Sequence, residues 1–284
     1  MERWLGKEVN ACIEARMNDV RERLEARGIQ PTLSTLRVGE KPEDLSYARS
    51  IDRVMGRLGI AVVHHTLDAP ATTDDVVVAM SALSRDDGVH GILLMQPLPE
   101  GVDANRVKDA MAPEKDVDGA TLDQLGRTLA GRADGLTYAA PAAVMEMLDF
   151  HGVALQGKTV VLVGSGLVVG RPLAMLLADR LATVVMTNVF TEDLSAFTRK
   201  ADVVVSAAGV PGLIRGDMVR SGQILIDVGV SFVDGTMRGD VDLESVADIV
   251  AAATPTPGGI GSITTTLIAE RTVRAAERAA NQTK

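Results

Sequence analysis

Residues 160–172 read VVLVGSGLVVGRP, an apolar strand followed by a glycine-rich turn and the start of a helix. Gly164 and Gly166 allow a tight bend and a close approach of the backbone to a pyrophosphate group. A helix that opens near Val168 directs free N–H groups at that anion. The glycine spacing, G-x-G-x-x-x-G, is one residue longer than the common dinucleotide fingerprint. The stretch predicts a dinucleotide-binding strand–helix unit, and a tight turn without a ligand is the alternative that spacing alone leaves open.

The residues after the next predicted strand leave the choice of cofactor open. An acidic residue that selects the free adenosine ribose is expected about 20 residues after the glycine turn. Residues 186–190 read MTNVF there, and the first acid is Glu192. The same five residues offer no Arg or Lys to the 2′-phosphate of NADP. Spacing alone therefore does not choose between NAD and NADP.

Strand and helix patterns alternate around this unit. The predicted strands cover 31–38, 60–65, 89–95, 159–163, 182–186, 202–206, 223–228 and 248–252. The predicted helices cover 8–27, 42–58, 76–83, 141–150 and 262–280, and Thr72 with Asp75 forms a capping box before the third. Repeated strand–helix–strand units imply parallel sheets in an α/β architecture. We place the domain boundary near 140, with residues 1–140 plus 265–284 in one domain and 141–264 in the other.

The composition excludes several classes of protein. The chain has 284 residues, of which 46% are hydrophobic and 24% charged, as in ordinary globular proteins. Its net charge of −9 argues against nonspecific nucleic-acid binding, which needs clustered Lys and Arg. No apolar run is long enough to predict a membrane span, and none of the four histidines has the spacing of a metal ligand. Without a signal-peptide pattern or a second cysteine, the expected location is the cytoplasm.

The predicted core is aliphatic, because the chain contains only four Phe, two Tyr and one Trp. The single cysteine, Cys12, falls on a helical apolar stripe with Val9, Ile13, Met17 and Val20. We therefore expect Cys12 to be a buried packing residue rather than a nucleophile.

Five motifs occur in a set order along nearly the whole chain. They read GILLMQPLP at 91–99, KDVDG at 115–119, GSGLVVGRP at 164–172, IDVG at 226–229 and TPTPGGIG at 254–261. Together they resemble the bifunctional methylenetetrahydrofolate dehydrogenase/cyclohydrolase (FolD) family of one-carbon metabolism. The resemblance implies an N-terminal α/β folate-binding catalytic domain and a C-terminal Rossmann-like parallel-sheet domain, with a cleft between them. It also implies a homodimer.

The resemblance implies two half-reactions, and the chain keeps the family pattern for only one of them. The dehydrogenase step moves a hydride from the methylene bridge of 5,10-methylenetetrahydrofolate to a nicotinamide, without an obligatory proton transfer. In the cyclohydrolase step, water adds to the methenyl product, and the family assigns proton handling to a Lys four residues after a Tyr, helped by a Gln and an Asp. Tyr47 and Asp118 are retained, but Ile51 stands at the lysine position and Met95 at the glutamine position. Neither side chain exchanges protons, so we predict a dehydrogenase with little or no cyclohydrolase activity.

Two alternatives remain open. In the first, another group replaces the lysine and both activities persist. The nearby candidates are poor ones, because Arg49 faces away from Tyr47 on a helix, Arg53 is another weak base, and Gln96 points to the opposite strand face from Met95. In the second alternative, the chain is a non-catalytic homologue that binds folate or a partner. The retained tyrosine, aspartate and glycine series argue against such a drifted site.

The resemblance also assigns binding residues. Tyr47 is expected to stack on the pterin ring and Asp118 to accept hydrogen bonds from the ring's N–H groups, whereas Lys115 and Asp116 are expected to be structural. Further substrate contacts are expected from Gln96, Pro97, Leu98, Pro257, Gly258 and Gly259. Cofactor contacts are expected from Gly164, Ser165, Gly166, Val168, Gly170, Val189, Phe190, Ala208, Gly209, Val228, Gly229, Gly261 and Thr264.

Two of these cofactor positions depart from the family pattern. Ser165 stands where the family has an arginine that helps to hold the 2′-phosphate of NADP, and Val189 stands where it has a serine, with Phe190 following. An arginine–phosphate contact is about twice as strong as a neutral hydrogen bond. Its loss favours NAD over NADP. The alternative is that Arg171 or a distant residue binds the phosphate.

Overall fold

The computed structural model describes residues 1–132 and 134–282. These residues form two compact α/β units. We call residues 12–127, 134–136 and 265–282 the three-stranded unit, and residues 1–11, 128–132 and 137–264 the six-stranded unit. Each unit has its own parallel sheet with helices packed against it, which confirms the predicted two-domain α/β class.

Helices and strands alternate along the chain. The helices are α1 (Gly6–Ala26), α2 (Pro42–Arg57), α3 (Thr73–Arg85), α4 (Ala104–Asp109), α5 (Leu122–Leu129), α6 (Ala139–Phe150), α7 (Gly170–Asp179), α8 (Leu194–Thr198), α9 (Leu243–Val246) and α10 (Ile260–Gln282). The strands are β1 (Glu2–Arg3), β2 (Thr32–Val38), β3 (Ala61–Leu67), β4 (Gly91–Leu94), β5 (Thr159–Val163), β6 (Thr183–Thr187), β7 (Val203–Ser206), β8 (Ile224–Asp227), β9 (Ser231–Val233), β10 (Thr236–Arg238) and β11 (Ala252–Ala253). No helix in the described part of the chain combines the length and apolar character that crossing a bilayer requires.

The three-stranded sheet has β2 at its centre, with β3 and β4 parallel on either side. One face packs against α3 and α4 through an aliphatic cluster that includes Leu36, Val76 and Met80. The helix α3 begins at the predicted capping box, in which the Thr72 hydroxyl accepts the Asp75 N–H and the Asp75 carboxylate accepts the Thr72 N–H. Because the strands are parallel, the segments that follow β2 and β4 leave the same edge of the sheet.

The six-stranded sheet has the order β1-β11-β8-β7-β5-β6, and all of its strands are parallel. Its core includes Val161, Val204 and Leu225. After β5 the chain first forms β6 on one side of that strand and then β7 on the other, so the strand order reverses between β5 and β7. Ligands of open α/β sheets bind beyond the carboxyl ends of the strands at such a reversal. The turn after β5 is therefore at the place where a dinucleotide is expected.

The N-terminal residues group differently from the predicted division. Residues 1–11 belong to the six-stranded unit, whereas the sequence placed residues 1–140 in the first domain. The reason is a pairing distant in sequence: Glu2 lies beside Ala252 in the parallel pair β1–β11. The ring of Trp4 also stacks on His151, with 3.9 Å between ring centroids. These contacts fix the chain start to the second sheet.

Two local predictions are wrong. The strand predicted over 248–252 reduces to β11, because residues 248 and 249 lie in the turn that follows α9 and residues 250 and 251 are not in a strand. Cys12 is exposed rather than buried. The buried stripe of α1 contains Val9 and Ile13, and at 100° per residue Cys12 lies about 60° from the first and about 100° from the second. That rotation turns its thiol away from the core.

Candidate substrate and cofactor sites

In the three-stranded unit, the structure brings Tyr47 and Asp118 together. Tyr47 lies on α2 and its hydroxyl is hydrogen-bonded to Thr265 on α10. Burial of the hydroxyl and the Asp118 carboxylate both raise the pKa of the phenol, and the Thr265 hydrogen bond only partly opposes them. The side chain is still 37% exposed, so its ring carries the open surface while its hydroxyl points inward. Tyr47 thus offers a stacking face and a phenol that stays neutral near pH 7.

The loop that carries Asp118 is held by its neighbour. The Asp116 carboxylate is 1% exposed and accepts the backbone N–H groups of Gly119, Ala120 and Thr121 at 2.8, 3.1 and 2.8 Å. Gly119 has φ +80°, a conformation that favours glycine. Asp116 therefore has the structural role predicted for it, and Asp118 is left half-buried at the loop's centre. The predicted structural role of Lys115 also holds, since its Nζ donates to the Asp86 carbonyl at 2.7 Å.

The two residues that depart from the family's cyclohydrolase pattern are buried from solvent. Ile51, one helical turn after Tyr47, is 0% exposed, and Met95, which follows β4, is 5% exposed. Neither side chain can donate or accept a useful proton. Gln96 is exposed, as expected for the neighbour of a buried residue at a strand end, and Arg49 is also exposed. Pro97 is exposed and Leu98 half-buried in the segment beyond them.

In the six-stranded unit, the glycine turn bends sharply at Gly164, one of the two glycines predicted to allow the bend. Gly164 has φ +113°, and a Cβ there would lie 2.5 Å from the Ala207 carbonyl oxygen. A Cβ on Gly170 would lie 2.1 Å from the Gly164 carbonyl oxygen, so this glycine allows the helix to approach the strand. A Cβ on Gly166 would meet nothing within 4 Å. Gly164 and Gly170 are thus required by the turn itself, and Gly166 leaves open space beside it. The helix begins at Gly170, two residues later than predicted.

The segment after β6 presents two apolar side chains. The Asn188 side chain accepts the Phe190 N–H at 2.9 Å, and the Asn188 N–H donates to the Thr191 hydroxyl at 3.0 Å. This closed turn leaves Val189 90% exposed and Phe190 89% exposed. On the neighbouring turn, the Nε of Arg171 donates to the Ser165 carbonyl at 3.1 Å. The positions predicted to lie near the adenosine ribose therefore carry apolar groups, with one arginine tethered to the glycine turn.

Two buried carboxylates, which sequence analysis missed, hold the other loops that are predicted to contact the cofactor. Asp240 accepts the backbone N–H groups of Ala208, Gly209 and Val210 at 2.7, 3.2 and 2.8 Å. Asp227 accepts those of Gly229, Asp240 and Val241 at 3.0, 3.1 and 3.0 Å. Each carboxylate accepts the N–H groups of several loop residues. The sequence signal for Asp227 is an acid at the end of an apolar strand, whereas Asp240, two residues after β10, has no such signal. Among the described residues, no group of three or more His, Cys, Asp or Glu is placed to hold a metal ion.

The glycine-rich loop before α10 is braced by the start of the chain. Gly258 has φ +101°, and its carbonyl accepts the N–H of Gly6 at 2.9 Å. A Cβ on Gly6 would lie 2.5 Å from the Gly259 carbonyl oxygen, and one on Gly259 would lie 2.6 Å from the Pro255 carbonyl oxygen. Thr264 is the fifth residue of α10, and its hydroxyl donates to the Gly261 carbonyl at 2.9 Å. The predicted contacts at Pro257, Gly261 and Val228 belong to the same six-stranded unit.

The Asp227 carboxyl predicts a pH dependence of stability. Burial raises its pKa from 3.8 to about 6, although the amides it accepts act in the opposite direction. Because the folded-state pKa is the higher one, the folded state holds an extra proton between about pH 4 and 6, and this group's contribution to stability falls as pH rises through that window. We expect the free energy of unfolding in urea to fall by up to about 3 kcal/mol more for the unchanged protein than for Asp227→Asn across the window. Parallel pH profiles would contradict the prediction.

These two units define a class: a two-domain α/β protein whose second unit is a Rossmann-like dinucleotide-binding fold. The family model "Tetrahydrofolate dehydrogenase/cyclohydrolase, NAD(P)-binding domain" matches residues 138–280. The model "Tetrahydrofolate dehydrogenase/cyclohydrolase, catalytic domain" matches residues 4–118. The chain therefore belongs to the tetrahydrofolate dehydrogenase/cyclohydrolase (FolD) family, as its motifs predicted.

Individual relatives support the same assignment. A bifunctional protein FolD of Pelotomaculum thermopropionicum is 40% identical over 271 residues, which are 95% of this chain and 95% of the relative. The crystal structure of the bifunctional FolD enzyme of Campylobacter jejuni superposes with a TM-score of 0.94 at 34% identity, covering 98% of this chain and 99% of that one. The Trypanosoma brucei FolD structure, which contains NADP and an inhibitor, has a TM-score of 0.92 at 29% identity and 98% coverage of both chains.

Proposed function

We propose that this chain is a 5,10-methylenetetrahydrofolate dehydrogenase whose cyclohydrolase activity is weak or absent. The observation that carries the proposal is the burial of Ile51, one helical turn after the retained Tyr47, and of Met95, two side chains without exchangeable protons. The raised pKa of the Tyr47 phenol keeps it neutral, so it does not serve as the missing base. Hydride transfer needs ring stacking and orientation, which Tyr47 and Asp118 still provide. The word bifunctional in the names of the relatives refers to the activities of those proteins, whereas the proposal for this chain rests on its own residues at 51 and 95.

In this proposal the two units supply residues for different ligands. The three-stranded unit supplies Tyr47, which stacks against the pterin, and Asp118, which accepts from its N–H groups. The six-stranded unit binds the dinucleotide at the turn after β5, where amides at the start of α7 face the pyrophosphate. The retained geometry of both loops favours catalysis over a non-catalytic folate-binding role. The resemblance further implies a homodimer, and the sequence pattern predicts a cytoplasmic location; both stay predictions.

A single spectrophotometric assay tests the proposal. Purified protein is given 5,10-methylenetetrahydrofolate and NAD, and then separately 5,10-methenyltetrahydrofolate. We expect growth of reduced nicotinamide in the first reaction and no catalysed decay of methenyl absorbance in the second. Decay at a rate comparable to oxidation would establish the bifunctional alternative with a replacement base. Absence of both changes, together with folate binding, would establish the non-catalytic alternative.

We further propose NAD as the preferred cofactor. The exposed Val189 and Phe190 offer no hydrogen bond to a 2′-phosphate, and burial of that anion against apolar groups is unfavourable. Ser165 supplies no charge at the glycine turn. Arg171 is the one charged side chain tethered to that turn by a hydrogen bond among the residues described, which keeps NADP as the alternative.

A double substitution predicts a change in cofactor use. Ser165→Arg with Val189→Ser is expected to raise kcat/KM for NADP by about 10- to 100-fold, because a charge-assisted phosphate contact contributes about 1.5–3 kcal/mol. The value for NAD is expected to change little. Arg171→Met separates the alternatives: a loss confined to NADP would assign the phosphate to Arg171. A preference for NADP in the unchanged protein would contradict the proposal.

A further inference from the structure

Arg271 is a buried arginine on α10 that bonds to the backbone beside Asp118. Its side chain is 8% exposed, and Nη1 donates to the carbonyl oxygens of Val117 at 3.0 Å and Asp118 at 3.2 Å. A guanidinium presents its donors in one plane and stays charged at any physiological pH. A buried charge is retained only where such bonds compensate its lost hydration. These two bonds therefore fix the loop at the residue predicted to bind the pterin.

Both the N–H groups and the carbonyl groups of the loop around Asp118 have side-chain partners. The Asp116 carboxylate accepts the N–H groups of the three residues that follow Asp118, and Arg271 donates to the carbonyl oxygens of Asp118 and of the residue before it. The backbone N–H groups of this short segment are thus bound by one acidic side chain, and its carbonyl groups by one basic side chain. The peptide groups around Asp118 have little freedom to rotate, which fixes the direction in which its side chain leaves the backbone.

The close approach of α10 to the sheet makes this contact possible. A Cβ on Gly91, the first residue of β4, would lie 2.8 Å from Val117 Cγ1 and 2.8 Å from Thr272 Oγ1. The strand, the loop and the helix therefore meet where only glycine fits. Six residues before Arg271 on α10, Thr265 is hydrogen-bonded to the Tyr47 hydroxyl. The same helix supplies partners to both predicted pterin-binding residues.

We propose that Arg271 is a positioning residue for the folate substrate, acting through Asp118. It holds the loop so that the carboxylate is oriented towards the N–H donors of the pterin before the substrate arrives. This inference rests on the proposed function, because it takes the pterin as the group that Asp118 binds. Pre-set orientation reduces the ordering cost of binding, so the effect belongs to folate affinity and turnover and not to the nicotinamide.

The test compares substitutions at two arginines of α10. Arg271→Met removes the donors, Arg271→Lys keeps a charged donor, and Arg278→Met is the matched control. Arg278 donates to the Glu114 carbonyl at 3.4 Å, in the same connecting segment but before Asp116. Kinetic constants for folate and nicotinamide are measured separately, with tetrahydrofolate binding by calorimetry and thermal unfolding for each variant.

We expect Arg271→Met to lower kcat/KM for the folate by about tenfold or more, with the KM for the nicotinamide within twofold. Arg271→Lys is expected to recover part of the loss, and Arg278→Met to match the unchanged protein. An equal rise in the KM for both substrates, or a lowered unfolding temperature with unchanged folate constants, would overturn the inference. If the unchanged protein does not oxidise methylenetetrahydrofolate, the proposed function fails. The calorimetric comparison then still decides whether Arg271 controls folate binding.

Discussion

Asp118→Asn is expected to lower the dehydrogenase kcat/KM by about 100-fold, which corresponds to about 3 kcal/mol of lost interaction. The carboxylate is an acceptor on both oxygens, and the pterin presents a pair of N–H donors. Asparagine keeps one acceptor and turns an NH2 group towards the second donor, so one hydrogen bond is replaced by a repulsion. Because the loop backbone is held by Asp116 and Arg271, the substitution leaves the fold in place. Steady-state kinetics with varied folate measure the loss.

Two matched substitutions separate this effect from loss of structure. Asp116→Asn is expected to lower the unfolding temperature, because its carboxylate is buried and accepts three backbone N–H groups. Asp109→Asn, at an exposed position at the end of α4, is expected to change neither property. An Asp118→Asn protein that keeps more than half of the normal kcat/KM would remove Asp118 from the site.

Local sequence patterns predicted the elements whose cause is local. The strand 159–163 matches β5 at both ends, because a run of apolar, mostly β-branched residues is followed directly by a glycine with positive φ. The capping box at Thr72 was also predicted, since its two partners are three residues apart. In both cases the deciding contacts lie within a few residues of each other. The family motifs added the identity of the site residues.

Features that depend on residues far apart in the chain could not be predicted in this way. The strand β1 has two residues and exists only through its pairing with Ala252 and Ala253. The Asp227 and Asp240 carboxylates face backbone amides that only the tertiary fold brings to them. Arg271 is 154 residues from Val117 and looks, in sequence, like one of several arginines on a helix. Only the fold shows that Arg271 is buried and that it donates to the loop beside Asp118.

Ile51→Lys combined with Met95→Gln is expected to create cyclohydrolase activity. General acid–base groups contribute about 100- to 10,000-fold to hydrolytic rates, so we expect methenyltetrahydrofolate hydrolysis to rise by about 100-fold over the unchanged protein. Each single substitution is expected to give much less, because the lysine needs a polar partner and the glutamine alone is no base. The decay of methenyl absorbance, followed by stopped-flow or steady-state measurement, gives the rate.

Because Ile51 and Met95 are both buried, the control must make similar steric changes at the same two positions. Ile51 is 0% exposed and Met95 5% exposed, so a charged amine and an amide placed there lose hydration and lower stability. The lysine stem can lie along the apolar wall while its amine extends towards Asp118 and the open Tyr47 ring. Ile51→Met with Met95→Leu makes similar steric changes without a proton carrier, and it is expected to hydrolyse no faster than the unchanged protein. A folded double variant, shown by normal dehydrogenase activity, that still fails to hydrolyse methenyltetrahydrofolate would mean that Ile51 and Met95 are not what limits this half-reaction.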